Sequence, residues 1–318
     1  MAGNWFGRAR ASAAAMAGLL LLSFLWSLSS LRGDLFPNLT PAPLPYMERQ
    51  VASFAVFAAV AALIAVVRGA EWPRGRRLGE SILLGVGLFV APAGLVYLSN
   101  ESISGQSRVA LFSLSPVFAV VVEPYVGSGT GRESRNGLLA ALVAVIGTLC
   151  VFPVALPGSI EGGFAFFEVV FATGCVAIAN CRAVKLSAEL PGRSLMPMAA
   201  IAGTTAALGL AVLSAATERA VWNWGAMGPE LAWSAVVELP GLLLLFWLMQ
   251  RMSAARMTTR YVLAPLIAIL AVLVLMRPAA GWRIWLGLAL MAGGTGWLLF
   301  ASDDDADGDA SFLRLDGR

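Results

Sequence analysis

A glutamate beside a proline, inside a long apolar run, is the part of the sequence best suited to chemistry. Glu238 directly precedes Leu239-Pro240 and lies nine positions into the segment Glu230–Gln250. A charge at the bilayer centre costs about 2.5–3.5 kcal/mol on insertion scales, and Pro240 has no N–H to offer the carbonyl of Val236. A glutamate beside this loosened backbone can hold a proton, a cation or a substrate ammonium group. The alternative is a structural acid that is hydrogen-bonded to a neighbouring helix.

Two more acids fall inside or at the end of apolar segments, and each has two interpretations. Glu168 can face a cavity, or it can pair with Arg108 or Arg219 near the same surface. Glu123, which is followed by Pro124, can take part in function or can simply end its helix in the headgroup zone. Both are candidates for substrate binding or coupling because intramembrane acids are costly.

Three uncharged side chains complete the set of candidates. Asn180 can hydrogen-bond a substrate or cap its helix, and the sequence favours neither. Trp26 and Tyr97 lie well inside apolar segments, where they can line a cavity or face lipid. We favour the cavity for both.

Four intramembrane prolines are spaced in a repeating way. Pro92 and Pro116 are 24 positions apart, and Pro240 and Pro265 are 25 apart. Pro92 and Pro240 are the paired breaks expected where discontinuous helices face a binding site, although each can also be a harmless kink. Pro116 and Pro265 are better suited to shaping the packing of their helices.

Other features repeat together with the prolines. An arginine precedes the second proline of each pair, Arg108 in one stretch and Arg260 in the other, and small residues recur seven apart further on, at Ala140/Gly147 and Gly287/Gly294. The glycines suit close contact between helices. Repetition of this kind indicates two copies of one membrane unit.

Composition places these units in a membrane. Hydrophobic residues make up 58% of the chain and charged residues 13%, and the mean hydropathy is +0.78. A soluble domain of this length carries about twice that fraction of charge. The excess of apolar side chains predicts an all-α integral membrane protein, since long apolar runs satisfy their own backbone in lipid as helices.

Ten apolar segments of suitable length follow one another. They are Ala11–Leu31, Val51–Val67, Gly79–Ser99, Arg108–Val126, Gly137–Phe152, Gly163–Cys181, Leu195–Ala216, Glu230–Gln250, Met257–Met276 and Trp282–Phe300. We interpret residues 1–153 as a first five-helix repeat, 154–161 as a Pro/Gly linker and 162–300 as a second repeat. The acidic tail 301–318 is expected to be disordered and cytoplasmic. With five spans in each copy, the second copy must be inverted relative to the first.

The arginine and lysine distribution predicts the orientation. When loops are assigned alternately to the two sides, one side holds 16 of the 22 basic residues and the other holds six. The positive-inside rule then puts both termini in the cytoplasm of a multi-pass protein in the cytoplasmic (inner) membrane. The basic residues are spread over loops, so the lipid bilayer and a small-molecule substrate are expected partners and nucleic acid is not. A homodimer is left open.

The residues available argue against catalysis and metal binding. The sequence has no histidine, and its three cysteines, Cys150, Cys175 and Cys181, show no metal-binding or redox spacing. Small apolar packing explains the cysteines well. We therefore expect a protein that is not an enzyme and that has no cofactor and no metal site.

Several motifs, in order, resemble the drug/metabolite transporter superfamily, EamA type. They are YLSNESISGQSRVALFSLSPVFAVVV, WLMQRMSAARMTTRYVLAPLIAILAVL and WRIWLGLALMAGGTGWLL. The family's usual glycine–glutamate pair after the proline helix is displaced here to Gly131 and Glu133, and Arg277-Pro278 stands at that place in the second copy. The resemblance implies ten helices in two inverted five-helix repeats around a central cavity, and transport of small metabolites, often amino acids or related compounds.

A secondary transporter working by alternating access is therefore the function we expect. No GxxxxGK[ST] motif occurs in the sequence, so a gradient would supply the energy. The alternatives are a membrane protein with a structural or sensory role and a membrane enzyme. A central polar cavity would favour the transporter, and converging catalytic groups at one depth would favour the enzyme.

Overall fold

A computed structural model describes residues 2–35, 44–126, 135–155, 157–190, 194–218 and 222–300, with the backbone alone at 2–11, 34, 35, 135 and 224. Every regular element in these ranges is helical. Nine of the helices are apolar and long enough to cross a membrane, and a shorter apolar helix covers the predicted fifth segment. The described part of the chain is thus that of an all-α, multi-pass integral membrane protein. The acidic tail 301–318 and the displaced Gly131 and Glu133 lie outside the described residues.

We number the long helices α1 to α10 in chain order. They are α1 (Ala2–Ser30), α2 (Tyr46–Val67), α3 (Arg76–Leu98), α4 (Gly105–Val126), α5 (Arg135–Val151), α6 (Ile160–Glu189), α7 (Leu195–Thr217), α8 (from Trp224 to Met249), α9 (Ala254–Met276) and α10 (Trp282–Phe300). A short helix, Arg32–Leu35, follows α1. Each long helix overlaps one of the ten predicted segments, and α1, α3, α5 and α8 each end one residue before their segment does.

Several helices extend beyond the apolar runs that predicted them. The sixth segment was expected to end at Cys181, but α6 continues through Arg182 and Lys185 to Glu189. At 1.5 Å per residue its 30 residues span about 45 Å, more than the roughly 30 Å of a hydrocarbon core. Hydropathy detects only the part of a helix that lipid covers, so the polar end of α6 was missed.

The helices α3 and α8 change geometry at matching places. In α3 the segment Val86–Val90 is π-helical, and in α8 the segment Ser234–Glu238 is π-helical. The N–H of Ala91 donates to Val86 O, and the N–H of Leu239 donates to Ser234 O, each five residues back. Pro92 and Pro240 follow one residue later. The predicted pairing of these prolines therefore corresponds to paired departures from α-helical geometry.

The helices α4 and α9 are each divided in two near their start. In α4, Gly105–Phe112 is followed by Ser115–Val126; in α9, Ala254–Thr258 is followed by Arg260–Met276. Ser104 caps the first helix by accepting from Ser107 N, and Ser253 caps the second by accepting from Arg256 N. Pro116 and Pro265 each lie twelve residues after these caps.

The shared register corrects one expectation. Counted from the two capping serines, Arg108 lies four residues along, whereas Arg260 lies seven along, where α4 has Leu111. The two arginines are therefore not equivalent. The residues that share a place are Phe112 and Tyr261, both eight after the cap.

Helix packing has a regular pattern. The closest pairs are α2 with α7 and α5 with α10. α1 packs against α8 and α9, while α6 packs against α3 and α4. A shift of five in helix number leaves this set of pairings unchanged. It turns the α1–α8 pair into α6–α3 and the α1–α9 pair into α6–α4, and it turns α2–α7 and α5–α10 into themselves.

Small residues let α5 and α10 approach closely, as the glycine spacing predicted. A Cβ built on Gly147 would lie 2.5 Å from Met291 N, and one on Gly294 would lie 2.5 Å from Ala144 N. No side chain larger than hydrogen fits at either position without moving a helix backbone.

Candidate functional site

An arginine is buried in the interior of the helical bundle, at the break in α9. Arg260 is 1% exposed. Both of its terminal nitrogens donate to Asn180 Oδ1 of α6, at 3.2 Å each, and Nη1 also donates to Met257 O at 3.0 Å. The Asn180 amide in turn donates to Val176 O at 2.7 Å, which fixes its orientation. The break in α9 thus brings a guanidinium against the middle of α6.

Aromatic rings enclose this guanidinium. The Arg260 Cζ lies 5.0 Å from the Trp26 ring centroid and 4.7 Å from that of Tyr261. Trp26 meets Tyr261 edge to face at 5.6 Å, and Tyr261 stacks on Phe112 at 5.8 Å. Ring faces carry partial negative charge and attract a cation. We call Trp26, Phe112, Asn180, Arg260 and Tyr261 the central cluster.

Glu238 of α8 contacts α1 at Ser29, one helical turn beyond Trp26. Its Oε1 accepts from Ser29 Oγ at 3.1 Å. Ser53 of α2 donates to Arg49 O at 3.2 Å. Ser53 also hydrogen-bonds Ser234 at the start of the π-helical segment, at 2.8 Å. Residues three apart share a helix face, so Ser29 stands on the same side of α1 as Trp26, about 4.5 Å further along the axis.

An ion pair joins the short helix that follows α1 to α8. Arg32 Nη1 donates to both carboxylate oxygens of Glu230, each at 2.8 Å, and the guanidinium lies 4.7 Å from the Trp233 ring. Arg32 is 7% exposed and Glu230 is 5% exposed. This buried pair holds the short helix against α8, about 12 Å along α8 from Glu238.

The structure brings three predicted candidates to one region: Trp26 and Asn180 belong to the central cluster, and Glu238 lies beside it. Asn180 was open to two interpretations. It does not cap α6, because α6 continues nine residues beyond it to Glu189. Asn180 bonds Arg260 instead, so a role in substrate binding is the interpretation that remains to be tested.

The other three candidates lie elsewhere. Glu168 precedes Asn180 by twelve residues, or about 18 Å along α6, and is half-buried. It bonds no described residue: Arg108, one expected partner, bonds Asn100 instead, and the other, Arg219, lies outside the described residues. Glu123 is 4% exposed with its Oε2 unpartnered among the described residues. Tyr97 donates to Thr217 O at 3.3 Å, joining the ends of α3 and α7.

Pro116 and Pro265 each lie four residues after one member of the stacked pair Phe112–Tyr261. A proline in a helix leaves the carbonyl four residues earlier without its usual N–H donor. Those carbonyls belong to Phe112 and Tyr261, and Ser115 Oγ donates to Phe112 O at 2.7 Å instead. The two prolines therefore loosen the backbone at the residues whose rings stack.

Sequence reasoning missed Arg260, which the structure places at the centre. The apolar segment that predicted α9 began at Met257, so Arg260 already lay inside it, yet its charge was assigned to a loop. A basic residue inside a predicted span was the signal that could have found it. Arg32 and Glu230 were missed because each stands at the edge of its segment.

Two cavities lie along α3 and the C-terminal half of α6, and the second reaches Ala179, next to Asn180. One of about 1020 Å³ is lined by charged residues, among them Arg74, Arg77, Lys185 and Glu189. A second, of about 490 Å³, is mostly apolar and reaches Gly87 in the π-helical segment of α3 and Cys175 of α6. Glu80 lines both. No residue of the central cluster lines either cavity. We take the central cluster as the candidate site because of its charged, polar and aromatic groups, and not because of a cavity volume.

No group of three or more acidic or cysteine side chains that could hold a metal ion occurs in the described ranges. The polar groups of the candidate site are a guanidinium, an amide, hydroxyls and one carboxylate. They can bind, orient and charge-balance a polar solute.

Comparisons with known proteins bear on the fold alone. No family model matches the chain, and no curated protein matches it in sequence. A solved structure described as "Crystal structure of protein" matches with a TM-score of 0.72 and 18% sequence identity, covering 91% of this chain and 99% of the other. The arrangement of helices described above therefore also occurs in an experimentally solved protein.

Proposed function

We propose that the protein is a secondary transporter, similar to EamA-type drug/metabolite permeases, that moves a small metabolite across the cytoplasmic membrane by alternating access. The observation that carries the proposal is the charged and aromatic cluster formed inside an apolar bundle by α1, α4, α6 and α9, with Glu238 of α8 beside it. Charges in a membrane interior mark substrate or ion pathways by default, because lipid penalises them.

An inverted repeat of two five-helix halves is the second part of the proposal. Support comes from the paired π-helical segments of α3 and α8, from the equal cap-to-proline distances in α4 and α9, and from the pairing of helices five apart in number. An odd number of spans in each half requires opposite insertion. Rocking of one half against the other around a fixed site is the usual way such repeats give alternating access.

The contacts indicate that the site is closed at the end of the bundle where α1 ends. The Arg32–Glu230 pair and the Ser27 hydroxyl, which donates to Ala264 O at 2.6 Å, hold α1 against α8 and α9 at one end. The cavity lined by Arg74, Lys185 and Glu189 lies at the other end, where α3 begins and α6 ends. The positive-inside rule makes that end cytoplasmic, with both termini there.

Reconstitution tests the proposal. The purified full chain in sealed liposomes should accelerate exchange of a panel of radiolabelled amino acids and related metabolites, measured by counterflow, over protein-free vesicles. Liposomes that contain an unfolded sample of the protein are the control. If no solute of the panel exchanges faster with the folded protein than with this control, the transporter proposal is removed and a structural or sensory role is favoured.

A further inference from the structure

Two arginines are buried among the described residues, Arg32 and Arg260, and no described acid balances Arg260. Arg32 is paired with Glu230 at 2.8 Å. Arg260, at 1% exposure, has an amide oxygen, a backbone carbonyl, a phenol and two ring faces as partners, and no carboxylate among the described residues. A guanidinium stays protonated in proteins. The bundle therefore encloses a permanent positive charge.

The hydrogen bonds of Arg260 leave one edge of its fork available. The edge formed by the two terminal nitrogens is occupied by Asn180 Oδ1. The other edge, formed by Nε and Nη2, meets only the Tyr261 hydroxyl, 3.4 Å from Nη2, and Nε has no acceptor among the described residues. Two parallel N–H groups at such an edge match the two oxygens of a carboxylate.

We propose that Arg260 is the anion-binding group of the central cluster and that it takes the carboxylate of an organic acid with a flat, apolar body. The half-buried rings of Trp26, Tyr261 and Phe112 supply the surface for that body. Aromatic rings favour flat apolar groups in offset or edge contacts. Asn180 is the positioning residue, since it fixes the guanidinium without touching the ligand.

The inference rests on the proposed transport function for access to the site. In this structure the Trp26 ring covers the guanidinium from α1, and Arg260 has no open path to solvent. Movement of α1 away from α9 exposes the free edge of the fork. The ring faces hold the charge when the site is empty. When it is filled, the carboxylate occupies the edge formed by Nε and Nη2, and the Tyr261 and Phe112 rings contact the apolar body.

The test is binding to the detergent-solubilised full chain, read as thermal stabilisation and as change in tryptophan fluorescence. Sodium salts of benzoate, phenylacetate and indole-3-acetate are the probes, and phenylacetamide is the neutral match for phenylacetate. We expect stabilisation by the carboxylates and none by the amide. Arg260→Gln should bind phenylacetate about tenfold or more weakly, because a charge-assisted bidentate contact is lost. Arg108→Gln is the matched control and should bind as the parent does.

A second variant separates binding from folding. Asn180→Asp places a carboxylate against the guanidinium where the amide oxygen now sits, so the internal acid competes with the ligand. The new ion pair offsets the lost hydrogen bond to Val176 O, so the thermal midpoint should stay near that of the parent, while phenylacetate binding falls about tenfold or more. Equal stabilisation by phenylacetate and phenylacetamide, full binding by Asn180→Asp, or no stabilisation by any of the three carboxylates would each overturn the inference.

Failure of this inference is distinguishable from failure of the transporter proposal. Carboxylate binding in detergent without any flux in liposomes would keep the anion site and remove transport. Flux of a neutral or cationic solute that is undiminished in Arg260→Gln would keep transport and remove the anion site.

Discussion

Phe112 and Tyr261 occupy the same place in two different helices, and their rings stack on each other. Each lies eight residues after a capping serine and four before a proline, and the ring centroids are 5.8 Å apart with planes at 25°. In the inverted repeat proposed above, matching positions that touch lie at the axis relating the two halves. That proposal places the stack at the centre of the repeat, beside Arg260, whose register partner in α4 is Leu111.

Glu238→Gln should abolish gradient-driven accumulation while leaving the protein folded. Glutamine can still accept the Ser29 hydrogen bond, but it cannot release a proton or balance a cation. Uptake into proteoliposomes with and without an imposed proton gradient measures this. Glu101→Gln, in the exposed turn after α3, is the control and should accumulate normally. Uphill flux at the parent level in Glu238→Gln would remove this residue from the mechanism.

Pro240→Ala should straighten α8 and slow transport. Alanine restores an N–H for the carbonyl of Val236, which favours α-helical geometry over the π-helical segment Ser234–Glu238 and raises the free energy of unfolding by up to about 3 kcal/mol. Amide hydrogen exchange over residues 234–240 should become slower, and flux should fall. Pro229→Ala, near the start of the same helix, should leave flux unchanged. Parent-like exchange and flux in Pro240→Ala would show that the break has no functional role.

Glu230→Gln should destabilise the protein by about 3–5 kcal/mol, because it leaves the Arg32 guanidinium buried without its acid. The thermal midpoint in detergent measures the loss. Replacing both partners, as Arg32→Met with Glu230→Met, should recover most of it, since no unpaired charge then remains. A double variant as unstable as the single one would show that the pair itself, and not the stranded charge, sets the stability.

Gly294→Ala should lower stability by about 1–3 kcal/mol, because the added methyl would meet Ala144 N at 2.5 Å and Ala140 O at 2.8 Å and force α5 and α10 apart. The neighbouring Gly293→Ala is the matched control. Its methyl has open space around it, so its effect should stay within about 0.5 kcal/mol. Chemical or thermal unfolding in detergent compares the two. Equal effects would mean that the close approach of α5 and α10 is not a tight constraint.

The membrane class and the places of the apolar helices were readable from the chain because they depend on local composition. An apolar run long enough to cross the bilayer becomes helical wherever it is placed, since lipid offers its backbone no other partner. The paired breaks were also readable, because Pro92 and Pro240 remove a backbone donor whatever their surroundings. The polar end of α6 was not, since arginine and lysine beyond Cys181 hide the helix from hydropathy.

The composition of the candidate site was only partly readable. Glu238, Trp26 and Asn180 were found one by one from their burial in apolar segments, and Glu168, Glu123 and Tyr97 were found in the same way, although the structure places them elsewhere. Periodicity tells which residues lie in a span, but not which spans meet.

The sequence by itself determined an all-helical membrane chain with repeated breaks, because helix formation in lipid and the loss of a donor at proline are local events. Only the tertiary structure decided that Arg260 of α9 meets Asn180 of α6, 80 residues away in the chain, under the Trp26 ring of α1. That contact arises where helices distant in sequence pack together, and a side chain's partners across such an interface depend on the rotation and depth of both helices.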